Sequence, residues 1–366
     1  MATTTTTARI FNFSSGPAVL PVEVLEEAQR DLIALPGVGI SVLEISHRSK
    51  TFDDIIAGCE ADLRSLAGVP DSYRVLFLQG GASLQFSMVP MNLLPPGKSA
   101  DYIVTGAWSE KAVTEAKRVG TIKIAASSKD GNYTRVPAQG ELGLDPDAAY
   151  VHYTTNNTIF GTQFHWIPDV GQVPLVADAS SDIFSRPIDV SNYGLIYAGA
   201  QKNLAPAGVT VVILREDLLQ RTPSSLPTMM QYSVHAENKS LYNTPPVFAI
   251  YVMRLVLAWL RKSGGLAAIE KVNIRKADKL YREIDRTGFY RGHAARESRS
   301  RMNVTFRLPA EDLEKKFIKE STAAGLDGLK GHRSVGGLRA SIYNAFPEAG
   351  IDALVQFMQE FERRNG

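Results

Sequence analysis

The stretch Leu175–Gly208, LVADASSDIFSRPIDVSNYGLIYAGAQKNLAPAG, constrains the fold of this chain more than any other. It opens on a short apolar run, Leu175–Ala177, that reads as a buried strand and ends on Asp178. Pro187, Asp189, Ser191, Asn192 and Gly194 punctuate a turn-rich connection, after which Leu195–Ala198 begins a second buried run. Gly199 and Ala200-Gln201-Lys202-Asn203 follow it directly. Runs arranged in this way predict strands of a parallel sheet, with Asp178 and Lys202 on one lip. Ligands of open α/β sheets bind along that lip.

An acid and a lysine presented there suit pyridoxal phosphate. The lysine joins the cofactor aldehyde as a Schiff base, and the carboxylate keeps the pyridine nitrogen protonated so that the ring accepts electrons. Small residues on both approaches, Ala198, Gly199 and Ala200 on one side and Ser180 and Ser181 on the other, leave room for a flat ligand. Taken alone, the same two residues also read as surface charges at strand ends.

Other segments place further candidates around this lip. Val75–Leu78 predicts a strand running into Gly80-Gly81 and then a helix, whose first N–H groups lack intrahelical partners and can cradle a phosphate. Asp101–Gly106 predicts a strand leading through Trp108 into a helix that carries Lys111 to Val119. Tyr150–Thr154 predicts a strand followed by the polar loop Thr155–Thr158. His47, Arg48 and Lys50 sit just before a helix beginning near Phe52, where an anion or plain solvent could meet them. That helix puts Ile55, Ile56, Cys59, Leu63 and Leu66 on one face, so Cys59 reads as a buried apolar residue. Gly331–Ala345, GHRSVGGLRASIYNA, gathers His332, Arg333 and Arg339 beside three glycines, a pattern that suits clamps for anionic groups and equally a basic loop.

The chain is long enough, at 366 residues, for two unequal domains. Gly264-Gly265 interrupts the helical pattern between Val247–Leu260 and Ala267–Thr287 and marks the expected junction. The expected division is a large domain over 17–263 and a small α+β domain over 264–366 joined by the N-terminal segment 8–16, with a disordered tail over 1–7. A net charge of +2 gives no reason to expect nucleic acid or an anionic membrane. The single cysteine allows no intramolecular disulfide, and MATTTTTARI lacks a signal-peptide core, so the expected location is cytoplasmic. No metal site is expected.

VADASSDIFSRPIDVS and YAGAQKNLAPAGVTVVI closely resemble the cofactor-lysine segment of the phosphoserine aminotransferases, fold-type I, class V pyridoxal phosphate enzymes. The resemblance runs from FNFSSGPAVLP at Phe11 to GHRSVGGLRASIYNA and beyond. It implies an α/β fold whose large domain has a mostly parallel, seven-stranded-type sheet flanked by helices. It also implies roles: Lys202 as Schiff-base lysine and proton shuttle, Asp178 as pyridinium partner, Trp108 stacked on the ring, and Ala82 and Ser83 on the phosphate. Thr158 and Gln201 complete that set, and Asn243 and Thr244 reach the cofactor phosphate across a homodimer interface. Arg339 is implied to hold the substrate α-carboxylate, and Arg48, His47, His332 and Arg333 the distal anion, some of them from the partner subunit.

The reaction so implied is reversible transamination between O-phospho-L-serine and 2-oxoglutarate, giving 3-phosphohydroxypyruvate and L-glutamate in L-serine biosynthesis. The resemblance also admits 4-phosphohydroxy-L-threonine, on the route to pyridoxine. Two rivals stand beside it: another class V transaminase of the serine–pyruvate type, which needs no distal anion clamp, and a non-catalytic protein on the same fold.

Overall fold

The apolar runs of the first half alternate with helices, and the chain winds them into one seven-stranded sheet. In spatial order its strands are Tyr73–Leu78, Thr210–Arg215, Leu195–Gly199, Leu175–Asp178, Val151–Thr154, Ser99–Val104 and Thr121–Ser127. All run in one direction except Thr210–Arg215, which is antiparallel to both neighbours. This is the mostly parallel α/β sheet expected from the sequence. The computed structural model describes residues 9–333 and 335–366, so the tail expected to be disordered over 1–7 lies outside the described residues.

Successive residues on these strands alternate between two separate cores, as the pleat requires. Phe77, Tyr153, Ala177, Ile196 and Val211 pack on one face against the helices Lys50–Ala67 and Val247–Lys262. Leu76, Tyr102, Val176, Tyr197 and Val212 pack on the other against Gly81–Leu93 and Ala107–Ala116. Both faces are covered, which is why the strands read as continuous apolar runs and not as alternating ones. Cys59 lies wholly inside the first core, where burial raises its thiol pKa.

A third core gathers Phe13, Ala277, Leu280, Val304, Phe306, Leu338, Ile342, Phe346 and Leu354. It is built on the three-stranded antiparallel sheet Arg291–Gly292, Asn303–Arg307, Leu338–Ser341 and the helices Gly265–Ile284, Glu311–Ala323 and Glu348–Asn365. The N-terminal lead-in joins it, because Phe11–Asn12 pairs in parallel with Leu326–Asp327 and Phe13 packs on Phe346 at 4.5 Å between ring centroids. Gly264 and Gly265 both adopt positive φ, 93° and 74°, so the helix Val247–Lys262 stops and the next begins at a new angle.

Several helix ends differ from expectation. The helix that begins at Val22 ends at Asp31, although Leu32 and Leu35 beyond it still pack on the first core, and Ile33 between them is 84% exposed. The helix expected from Lys111 to Val119 starts earlier, at Ala107, and stops at Ala116. Its start is fixed by Ser109, whose Oγ accepts from the amides of Thr105 and Gly106 and donates to the Gly106 carbonyl at 2.7 Å. The Thr155–Thr158 loop is a hairpin in part, with Asn156–Asn157 paired to Thr162–Gln163.

Candidate active site

Five connections leave the sheet at the same edge, the C-terminal ends of its parallel strands, and their side chains converge on one cavity of about 120 Å³. Gly81, Ala82, Ser83, Trp108, Thr154, Asn156, Thr158, Asp178, Ser180, Ser181, Gln201 and Lys202 line it. Asp178 is the last residue of its strand and pairs in register with Thr154 and Tyr197. Lys202 follows three residues after the end of the adjacent strand, at Gly199.

Gly80 and Gly81 turn the chain into the helix Gly81–Leu93 with φ of 84° and 64°. A Cβ on Gly80 would lie 2.6 Å from the Cβ of Leu84, so the turn admits no side chain there. The first amide to find an intrahelical acceptor is that of Leu84, leaving those of Gly81, Ala82 and Ser83 directed out of the helix. The Ser83 hydroxyl makes no hydrogen bond among the described residues. This end of the cavity is an anion cradle.

The acid and the lysine are tuned by burial. Asp178 Oδ1 accepts from the Ser180 amide at 3.0 Å and from Ser180 Oγ at 2.6 Å. Burial pushes its carboxyl pKa up, while the Ser180 donors and then the charge of Lys202 act the other way. Lys202 Nζ donates to Thr158 Oγ1 at 2.6 Å. Burial lowers the lysine to about 8, Asp178 opposes the shift, and Arg339 adds to it. A lysine held near neutrality in this way is a nucleophile and a proton carrier at ordinary pH.

Arg339 reaches the cavity from the three-stranded sheet. It is 8% exposed, with Nη2 on Ser15 Oγ at 2.8 Å, Nη1 on the Thr158 carbonyl at 3.4 Å, and a buried Nε with no partner. The lead-in closes the site from above: the Ala18 amide donates to the Gln201 carbonyl at 2.9 Å, and Gly16 lies against the Lys202 stem. His332 is near enough to Arg339, Arg333 and Lys111 for all three to depress its pKa, after burial.

Of the residues expected from the sequence, Lys202, Asp178, Ala82, Ser83, Trp108, Thr158 and Gln201 line one cavity, and Arg339 adjoins it. His47, Arg48, Arg333, Asn243 and Thr244 do not line it. Arg48 is exposed, with Nε 3.5 Å from His47 Nε2, and the Thr244 carbonyl accepts from Gln79 Nε2 at 3.0 Å. Sequence reading missed Ser15, Gly16 and Asn156, which touch these groups, and gave Ser180 no partner. Only Gly16, in the SSGP turn, carried any local signal.

The residues present fit pyridoxal 5′-phosphate on their own chemistry. An amide cradle with a spare hydroxyl suits the phosphate, the buried lysine suits an aldehyde, and the buried acid suits a ring nitrogen. The flat wall is Trp108, whose buried Nε1 has no partner among the described residues.

Comparison with known proteins agrees. A model of the family described as Aminotransferase class-V matches residues 10–354. A phosphoserine aminotransferase of Desulfatibacillum aliphaticivorans is 57% identical over 360 residues, 98% of this chain and 99% of that one. The solved phosphoserine aminotransferase of Bacillus circulans subsp. alkalophilus superposes with a TM-score of 0.96 at 52% identity, covering 98% of this chain and 99% of the other. The pyridoxal phosphate-bound phosphoserine aminotransferase of Trichomonas vaginalis superposes with a TM-score of 0.92 at 42% identity, covering 96% and 100%.

Proposed function

The chain belongs to the class-V aminotransferase family, and from that premise we propose that it moves the amino group of O-phospho-L-serine to 2-oxoglutarate, the transamination step of L-serine biosynthesis. The observation that carries this reading is the placement of Lys202 between a buried acid, Asp178, and a buried arginine, Arg339, above a cradle of helix amides.

When bound, pyridoxal phosphate supplies the electron sink for charge that develops at the substrate Cα. The chain's own groups do the rest. Ala82 and Ser83 would hold the phosphate, and Asp178 would hold the proton on the ring nitrogen. Trp108 would cover one face of the ring, with Gln201 and Thr158 at its margin. Lys202 Nζ would hold the cofactor aldehyde and, when free, would be placed to carry the Cα proton. Its lowered pKa keeps part of it neutral, as a base must be. Arg339 receives the α-carboxylate, since its Nε and Nη1 have donors to spare.

O-Phospho-L-serine and L-glutamate both carry a distal anion, for which Arg48, His47, His332 and Arg333 are the assigned partners. Because Arg48 and His47 do not line the cavity of their own chain, the reading includes a homodimer in which the partner subunit supplies them. Asn243 and Thr244 reach the cofactor phosphate in the same way. The junction at Gly264-Gly265 separates the domain that holds the cofactor from the one that brings Arg339.

Steady-state assays with O-phospho-L-serine and L-alanine test the reading. A preference for phosphoserine of about 100-fold or more in kcat/KM is expected from a charge-assisted clamp on the distal group. Equal use of alanine would move the chain to the serine–pyruvate type.

A further inference from the structure

We propose that Tyr343 is a positioning residue for the substrate α-carboxylate, acting through Ser15 on Arg339. The proposal rests on the transaminase reading and on Arg339 as the carboxylate anchor.

The Arg339 guanidinium has one short hydrogen bond, to Ser15 Oγ at 2.8 Å, so the direction in which it points is set by Ser15. Ser15 lies in the irregular lead-in, just before Gly16 with its φ of 139°. Among the described residues the one hydrogen bond made by the Ser15 backbone is the one its carbonyl accepts from Tyr343 Oη, at 2.8 Å.

Tyr343 is wholly buried and is itself held from both ends. Its hydroxyl accepts from Asn303 Nδ2 at 3.0 Å. Asn303 also donates to Ser341 Oγ at 3.0 Å and accepts from Asn156 Nδ2 at 2.8 Å. Asn156 lines the Lys202 cavity, where Ser181 and Ser300 satisfy its remaining amide positions. On the main-chain side, the buried Lys276 ammonium gathers the carbonyls of Ile342, Tyr343 and Phe346 at 3.0, 2.7 and 3.2 Å. The next residue, Asn344, ties its amide to Asn203 Oδ1, adjacent to Lys202, at 3.0 Å.

The Tyr343 hydroxyl therefore has a position fixed relative to both the cavity wall and the lysine segment, and it transmits that position to Ser15. A fully satisfied buried chain of this kind is stiff, and losing one link strands its neighbours. Without the hydroxyl, the Ser15 carbonyl and one Asn303 donor lose their partner, the lead-in gains freedom, and Arg339 loses its fixed acceptor. A hydroxyl that served folding alone would change stability and leave anion affinity untouched.

The test titrates holoenzyme with glutarate, an unreactive dicarboxylate, comparing wild type with Tyr343→Phe, Ser15→Ala and the double variant. Loss of one hydrogen bond that orients a charged group predicts a Kd raised about 5- to 20-fold in each single variant. In the double variant the two effects are expected to overlap and not to multiply, because both act through one link. KM for both substrates should rise in step with the glutarate Kd, while kcat changes less and the absorbance of bound cofactor stays that of wild type. Unchanged glutarate affinity in Tyr343→Phe, or multiplicative effects in the double variant, overturns the proposal. If Tyr343→Phe does not fold, an unchanged Kd in Ser15→Ala overturns it alone. Wild type that ignores glutarate overturns the transaminase reading instead, and with it this proposal.

Discussion

Lys202 Nζ and Thr158 Oγ1 stand 2.6 Å apart, and that hydroxyl is the hydrogen-bond partner of the lysine among the described residues. The two come from connections after non-adjacent strands, Val151–Thr154 and Leu195–Gly199, with the strand that ends in Asp178 between them. The lysine is thus aimed across the cavity over the acid. Burial disfavours its charged form, and the Asp178 carboxylate favours it.

This balance sets how the cofactor-free protein captures pyridoxal phosphate. Only the neutral amine attacks an aldehyde, and burial lowers Lys202 to about 8. The capture rate should climb with pH up to about 8 and level off above it, as followed by absorbance. Thr158→Val removes the acceptor that favours the ammonium, so the midpoint should move to lower pH.

Ser180 sends both its amide and its hydroxyl to Asp178 Oδ1. Donors of this kind favour the carboxylate, so Ser180→Ala should raise the Asp178 pKa. The acid limb of the kcat profile should therefore move upward, with activity above the limb reduced less than about 10-fold. A pH–rate profile in which the limb stays in place would show that the serine does not tune the acid.

Gly16 combines a φ of 139° with a close approach to the lysine, since a Cβ there would sit 3.3 Å from Lys202 Cγ. Gly16→Ala should cost about 1–3 kcal/mol of stability from the backbone alone. It should also slow cofactor capture, because the lysine stem must give way. Urea unfolding and the same absorbance assay report the two effects separately.

The proposed two-subunit site predicts the behaviour of mixed dimers. Lys202→Ala and Arg48→Ala should each be inactive or nearly so. Co-expressed, they should regain activity, because a hybrid holds one site with both the intact lysine and the partner's intact arginine. Hybrids that show no gain would place both residues in the site of a single chain.

The sheet and its ligand edge were legible because both faces are covered. Strands such as Leu175–Asp178 then appear as unbroken apolar runs ending in the first polar residue, and that residue is the acid. Helix ends were less legible, since the helices stop at Asp31 and Ala116 without a local stop signal there. The Asn156–Asn303–Tyr343–Ser15 chain left no sequence signal at all. Its members are up to 328 positions apart, and nothing about an asparagine in a strand tells which distant amide it meets. Cationic residues were legible only as candidate anion binders, and whether they lie near their own chain's cavity depends on tertiary position. The exposed Arg48 and the buried Arg339 show the difference.

The most direct test of the central claim is a half-reaction on the cofactor-loaded protein, followed by the absorbance of the bound cofactor with no second substrate present. O-Phospho-L-serine should convert the aldehyde form of the cofactor to its amine form in wild type. L-Alanine should not, and Lys202→Ala should slow the conversion by about 10²- to 10⁴-fold. Equal conversion by alanine, or conversion by phosphoserine at an undiminished rate in Lys202→Ala, would contradict the account.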